Sequence, residues 1–440
     1  MTKTTWIDIT DMIGWTGQFG GTQRVVYGIA NEYVQYANKH KNTSVKFCFF
    51  SEKTRKFYET SFDVIKPMND IDEVSKNDKM SKNIDTKERV KIIIQTYVPN
   101  RILSNAYVKR YGKTIGKQVY GIAKKAKNEL GPKKITIINE PEAIFEHNDT
   151  VLLLGKPWDT PMMMPTLQLL KEQKGFLIET IIYDLVISLQ PQLHTPVLFK
   201  DYTQYLFYVA QCSDRILPIS KSSERDFYEF CDRMRLPKPE SKVIRIGDII
   251  HKSKEPTIPR QMDRQKSKQF LLCVGTIEVR KNHALLYYVY KLAHERGINL
   301  PQLVIVGRVG WNAKDIYTMY KNDPLIKEQT IILDSVTDPE LSWLYENCLF
   351  SVYPSMYEGW GLPVAESLQY GKVVVASNSS SIPEIAGELL EYFSPYSVDE
   401  CLHLILKYLD DERRTALEKK IHSNYSPTNW RHTFMQVNTS

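Results

Sequence analysis

Between residues 270 and 377, short β-branched runs alternate with amphipathic helical patterns, and no other feature of the 440-residue sequence restricts the fold as much. The runs are FLLCVG (270–275), LVIVG (303–307), IIL (331–333), LFSVYP (349–354) and VVVAS (373–377). Each is apolar almost throughout, so each predicts a strand buried on both faces. Such strands joined by helices form a parallel sheet covered on either side. In TDPELSWLYENC, Asp338 is expected as N-cap and Pro339 at the first helical position, with Leu341, Leu344, Tyr345 and Cys348 on one face.

The N-terminal half repeats the plan less regularly. Candidate strands are 6–10, 45–50, 90–96, 135–138, 151–155, 177–186 and 215–220, with helical patterns at about 22–37 and 198–212. The polar stretch 66–90 reads as a surface insertion. HKSKEPTIPRQMDRQKSKQ (251–269), polar and holding two prolines, reads as a domain boundary. A chain of this length with 42% hydrophobic residues is too long for one small core, and domains of roughly 150–250 residues are expected. The expected architecture is α/β, with two doubly wound Rossmann-like domains facing across a cleft, residues 1–250 and 251–424. Ligands of such folds bind at the carboxyl ends of the strands.

No run of about 20 apolar residues occurs and the opening MTKTTWIDIT lacks a long apolar block, so a cytosolic protein is expected. The six cysteines, 48, 212, 231, 273, 348 and 401, are scattered singly with no metal-ligand spacing, and read as buried thiols. The formal net charge of +7 suits an anionic partner without naming it.

Three loops would line the cleft. In GWTGQFGGTQRVVYGIANEY, Gly17, Gly20 and Gly21 precede a helix whose Val25, Val26, Ile29, Ala30 and Tyr33 form one face. The spacing is not that of a dinucleotide fingerprint; it fits either a flexible loop or a phosphate or sugar contact. After FLLCVGTI, Arg280 and Lys281 stand where a strand gives way to a helix. Adjacent cations there are unfavourable to the helix dipole, which suggests a bound anion, and an arginine fork with a lysine suits a diphosphate. In YPSMYEGWGLPVAES (353–367), Gly359 and Gly361 permit close backbone approach, Pro363 fits the first helical position and Gly371 the closing one. Glu366 is expected in the first turn of that helix and Glu358 in the loop before it. The N–H groups near Gly361 and Leu362 would meet a phosphate while the carboxylates accept hydrogen bonds from hydroxyls, or else Glu366 merely complements the dipole and Glu358 is exposed.

VGTIEVRKNH, LVIVGRVGW, the stretch from YPSMYEGWGLPVAES to SIPEIAGE, and NYSPTNW resemble the retaining GT-B nucleotide-sugar glycosyltransferases of glycosyltransferase family 4, in particular mannosyltransferase-type enzymes of bacterial surface-polysaccharide synthesis. The resemblance is dense from about 270 to 430. In the N-terminal half it rests on the glycine-rich first loop, LLLGKPW and YDLVISLQP. It implies an acceptor-side first domain, a donor-binding second domain, and a segment 425–440 crossing back to the first. Glu358 and Glu366, separated by seven residues, carry the family's hallmark spacing. By that resemblance Arg280 and Lys281 bind the donor diphosphate and Glu366 accepts from ribose hydroxyls. Glu358, with the backbone of Gly359, Trp360, Gly361 and Leu362, holds the transferred sugar and its phosphate, and Gly20 and Gly21 approach the same group from the opposite domain. Many members carry His-Asp where this chain has Tyr183-Asp184, so Asp184 joins the catalytic set. Gln18 and Tyr183 are candidate acceptor or sugar contacts.

The implied reaction transfers a sugar, mannose from GDP-mannose in the first instance, to a hydroxyl of a lipid-linked saccharide with retention of configuration. No metal or cofactor is required, because Arg280, Lys281 and the helix start would stabilise the leaving diphosphate. Residues 101–134 place Val108, Tyr111, Ile115, Val119 and Ile122 at spacings of three and four, with Lys109, Arg110, Lys113, Lys117, Lys124, Lys125, Lys127, Lys133 and Lys134 around them. This helix either packs in the domain with a solvated basic face or rests on anionic lipid. Nucleic-acid binding is disfavoured, since the basic residues lack interleaved aromatics. The alternatives are a non-catalytic sugar-nucleotide-binding subunit and another GT-B enzyme, an epimerase or phosphorylase.

Overall fold

The computed structural model describes residues 3–15, 19–40, 42–65, 140–250, 252–265, 269–310 and 312–438. They fall into a large unit, Met1–Ile13 with Phe19–Ile65 and Pro141–Ser440, and a small one, Gly14–Gln18 with Lys66–Glu140. Of the small unit only Gly14, Trp15 and Glu140 are described. The expected strands 90–96 and 135–138, the insertion at 66–90 and the basic helix at 101–134 lie outside the described residues.

Two sheets organise the large unit. The first holds β1 (Thr4–Asp8), β2 (Ser44–Ser51), β3 (Lys56–Thr60), β4 (Thr150–Leu153), β5 (Leu177–Ile182), β6 (Arg215–Pro218) and β7 (Glu240–Ser241), in the order β3-β2-β1-β4-β5-β6-β7. Only β3 runs antiparallel to its neighbour; the other pairs are parallel. The second holds β8 (Phe270–Val274), β9 (Gln302–Val306), β10 (Thr330–Leu333), β11 (Ser351–Tyr353), β12 (Val374–Ser377) and β13 (Tyr392–Phe393), all parallel, in the order β10-β9-β8-β11-β12-β13. This is the doubly wound order whose direction reverses between β8 and β11. A crevice opens outside the strand ends at such a reversal. In the first sheet the reversal lies between β1 and β4.

The helices that position the site are α1 (Gly21–Lys39), α2 (Pro196–Cys212), α3 (Lys221–Met234), α4 (His283–Glu295), α5 (Asp338–Asn347), α6 (Leu362–Gln369) and α7 (Trp430–Asn438). Along α1 the predicted stripe Val25, Val26, Ile29, Ala30 and Tyr33 is buried. The last helix, α7, lies against α1, with Phe434 edge-on to Tyr33 at 4.8 Å. Its Trp430 ring rests on two glycines: a Cβ at Gly28 or Gly247 would stand 2.3 or 2.4 Å from it. All six cysteines are buried thiols, as their scatter suggested.

The boundaries differ from expectation in three instructive ways. Thr337, not Asp338, caps α5, because Thr337 and Glu340 close a reciprocal capping box and push Asp338 to the first helical position. Leu362 rather than Pro363 begins α6, with Gly361 as its cap at φ 117°, a conformation that glycine adopts without strain. Glu366 therefore falls in the second turn of α6, not the first, and is not placed to complement the helix dipole.

Candidate functional site

Glu358 is the centre of the site. The chain leaves β11, passes through Pro354–Tyr357 and reaches Glu358 just before the tight turn into α6. Its Oε2 accepts from Arg280 Nη1 at 2.7 Å, and its Oε1 from Lys281 Nζ at 2.7 Å and the Tyr353 hydroxyl at 3.0 Å. Arg280 also donates to Glu278 Oε1 at 2.7 Å and to the Tyr357 carbonyl at 3.0 Å. Burial alone would raise the Glu358 carboxyl, but the Arg280 and Lys281 charges outweigh it and hold the group at about 2. The loop is pinned by Ser380, whose hydroxyl bonds both the N–H and the carbonyl of Glu358 at 2.7 and 2.8 Å.

The two cations stand on a short 3-10 turn, Val279–Lys281, ahead of α4 rather than in its first turn. Asn282 breaks the turn with φ 59°, and its side chain donates to the Pro354 and Pro395 carbonyls at 3.1 and 2.8 Å, tying the β8 loop to the β11 loop. Both cations are matched by buried carboxylates, because cations held away from water need partners. The sequence suggested the cations and not that they come already paired with Glu278 and Glu358.

From the first sheet, β5 delivers Tyr183 and Asp184 to the same place. Gly359 packs so closely on them that a Cβ there would lie 2.3 Å from the Tyr183 carbonyl oxygen. The Tyr183 hydroxyl is turned away, donating to the Leu154 carbonyl. Asp184 Oδ1 accepts from the Val186 N–H at 3.1 Å; burial pushes its carboxyl up, and the Arg280 charge acts against that rise. Tyr202 of α2 donates to the Asp184 carbonyl, and Tyr357 of the Glu358 loop donates to Asp226 on α3. The Glu384 carboxylate accepts from the Lys221 and Ser222 N–H groups at 2.8 Å each, so the second sheet's side supplies an acceptor to the first turn of α3.

Between these elements lies a cavity of ≈ 640 Å³, within the range of small-molecule sites. It is lined by Gly21 and Thr22 at the start of α1, by Tyr183 and Asp184, by Arg280 and Lys281, and by the run Glu358–Pro363. Gly20 lies just outside it as the extended cap of α1. Gln18 lies outside the described residues. Glu366 is buried one turn beyond Leu362; its Oε2 accepts from the Tyr345 hydroxyl at 2.8 Å and its Oε1 from Arg24 Nη1 at 3.1 Å. Among the described residues no group of three or more His, Cys, Asp or Glu is arranged to hold a metal, and no helix is long and apolar enough to cross a membrane.

Several residues of this site escaped sequence reasoning. Arg308 and Gly310 line the cavity from the loop after β9, which pairs with the β8 loop through an Ile277–Val309 bridge. Their signal was available, since LVIVG is followed by RVG at a strand's carboxyl end. Tyr345 and Arg24 carried no local signal, because each meets Glu366 only through the fold, whereas Tyr353 stands five residues before Glu358 at the end of β11.

Two doubly wound sheets with a cavity at their carboxyl ends define the GT-B class of fold. The solved structure of HepE from Anabaena, in complex with UDP and glucose, aligns over 99% of this chain and 98% of its own with a TM-score of 0.56 at 13% identity. Residues 254–424 match the glycosyl transferases group 1 family. It is 29% identical to the O-antigen chain mannosyltransferase B of Escherichia coli over 236 residues, 53% of this chain and 61% of the relative. It is also 29% identical to the serotype-specific mannosyltransferase WbdA of Escherichia coli over 203 residues, 46% of this chain and 25% of the relative. The chain thus spans less than two thirds of the length of either relative.

Proposed function

We propose that this chain is a retaining, metal-independent glycosyltransferase that moves mannose from GDP-mannose to a hydroxyl of a lipid-linked saccharide, in O-antigen or capsule synthesis at the cytoplasmic face of the membrane. The observation that carries this reading is the Glu358 carboxylate bound by both Arg280 and Lys281 at the mouth of α6. A diphosphate entering there replaces Glu358 as the partner of the two cations, and Glu358 turns to the hydroxyls of the transferred sugar. Glu366 reads the ribose. The N–H groups at Gly361 and Leu362 and the α1 start at Gly20 and Gly21 approach the phosphates from opposite sides.

As the bond from the sugar's anomeric carbon to the phosphate oxygen breaks, charge grows on that oxygen, and Arg280 and Lys281 stabilise it from fixed positions. The acceptor hydroxyl attacks the same face and passes its proton to the departing phosphate oxygen, so the new bond keeps the configuration of the old. Asp184 lines the same cavity as Arg280 and adds a through-space attraction to its guanidinium, which Glu278 and the Tyr357 carbonyl hold in place. Mannose is favoured by the mannosyltransferases among the relatives in sequence, and a nucleoside diphosphate by the UDP bound in HepE.

The test is release of nucleoside diphosphate from GDP-mannose, UDP-glucose and UDP-galactose, with and without lipid-linked saccharide acceptors, and Glu358→Ala as control. Acceptor-dependent GDP release from GDP-mannose, lost in Glu358→Ala, is the expected result. Donor binding without turnover on any acceptor would replace this reading with that of a non-catalytic binding subunit.

A further inference from the structure

The Glu366 carboxylate has two partners of opposite character. Tyr345, on α5, is 1% exposed; its ring stacks on Tyr370 at 5.2 Å, and its hydroxyl donates to Oε2. Arg24 comes from α1, on the side of the first sheet, and its side chain is 43% exposed while it donates to Oε1. A bond to a half-exposed arginine is readily exchanged, whereas a hydroxyl packed in the core is not.

The pair sits at the edge of the cavity. On α1, Thr22 and Val25 flank Arg24 and line the cavity; on α6, Leu362 lies four residues before Glu366, on the same helix face, and lines it too. Glu366 itself is not part of the lining, and Arg24 is the side chain that covers its Oε1.

We infer that a nucleoside diphosphate binds by exchanging its ribose hydroxyls for Arg24 on Glu366, while Tyr345 stays in place and keeps the carboxylate aimed. Tyr345 is thus a positioning residue and Arg24 a place-holder. This rests on the reading of Glu366 as the ribose acceptor. Two ribose hydroxyls donating to a buried carboxylate account for a preference of roughly tenfold or more over a sugar that lacks them.

The experiment is calorimetric binding of GDP and 2′,3′-dideoxy-GDP to the wild type, Tyr345→Phe and Arg24→Gln. The wild type should favour GDP by roughly tenfold or more. Tyr345→Phe should lose most of that preference by weakening GDP while dideoxy-GDP binds as before, which also shows that the variant site is folded. Arg24→Gln should bind GDP more tightly and leave dideoxy-GDP unchanged. Equal weakening of both nucleotides by Tyr345→Phe would overturn its positioning role, and weaker GDP binding by Arg24→Gln would overturn the exchange. A wild type that binds both nucleotides alike would instead refute the ribose reading of Glu366.

Discussion

Replacing Glu358 by glutamine should expose how the site balances its charges. The carboxyl is held at about 2 against an ordinary value of 4.5, a difference of 2 to 3 pH units. At 1.36 kcal/mol per unit this corresponds to about 3 kcal/mol of favourable interaction in the ionised form. The folded value lies below the unfolded one, so the contribution is complete above pH 4.5 and is lost as pH falls toward 2. Glutamine keeps the shape and one acceptor oxygen but removes the charge, leaving Lys281 with neutral acceptors only and Arg280 with Glu278 as its one carboxylate. At pH 7 the variant should lose about 3 kcal/mol of stability, roughly 6 to 12 °C in the melting of a domain of this size. The pair then carries one positive charge without a carboxylate, since Arg280 keeps Glu278, so inorganic pyrophosphate should bind more tightly to Glu358→Gln than to the wild type and raise its melting temperature more. Scanning calorimetry across a pyrophosphate titration measures both. Unchanged stability with an unchanged response to pyrophosphate would refute the argument that Arg280 and Lys281 form an anion site closed by their own carboxylate.

Two further outcomes follow from the strand ends. Asp8 is buried at the end of β1 and burial pushes its carboxyl up to about 7, so the folded chain loses stability as pH rises from 3.8 through 7, by up to about 4 kcal/mol. Asp8→Asn should flatten that slope and melt higher than the wild type at pH 8, which unfolding scans at pH 5 and pH 8 would decide. Gly359→Ala should drive a methyl into the Tyr183 carbonyl and cost about 1–3 kcal/mol or force the Glu358 loop away from β5, seen as lower denaturant resistance together with weaker nucleotide binding.

The parallel sheet of the C-terminal half was legible because strands buried on both faces are unbroken apolar runs: β8, β9, β11 and β12 fall on FLLCVG, LVIVG, LFSVYP and VVVAS. Strands β7 and β13, two residues each, are too short to leave a periodic signal, and the half-exposed β3 is recognisable only from its antiparallel pairing with β2. At the start of α5 both Thr337 and Asp338 suit a cap, and Glu340 decided between them through the capping box. At the site, the spacing of Glu358 and Glu366 and the Arg280-Lys281 pair stood out along the chain. Their partners did not: Arg24 meets Glu366 across 342 positions and Tyr345 meets it from another helix across 21, so only folding brings them together.

The seam around the cavity is crossed by Glu384 to the first turn of α3, by Tyr357 to Asp226 and by Arg24 to Glu366. Each has a carboxylate as acceptor and is worth about 1.5–3 kcal/mol; the Arg24 and α3 contacts border solvent, while Tyr357–Asp226 is buried. Part of the polar ring around the cavity can therefore open on the strand-end side while the shared apolar cluster that joins the two sheets' elements, from Ile7 and Val25 to Leu271 and Val364, stays packed.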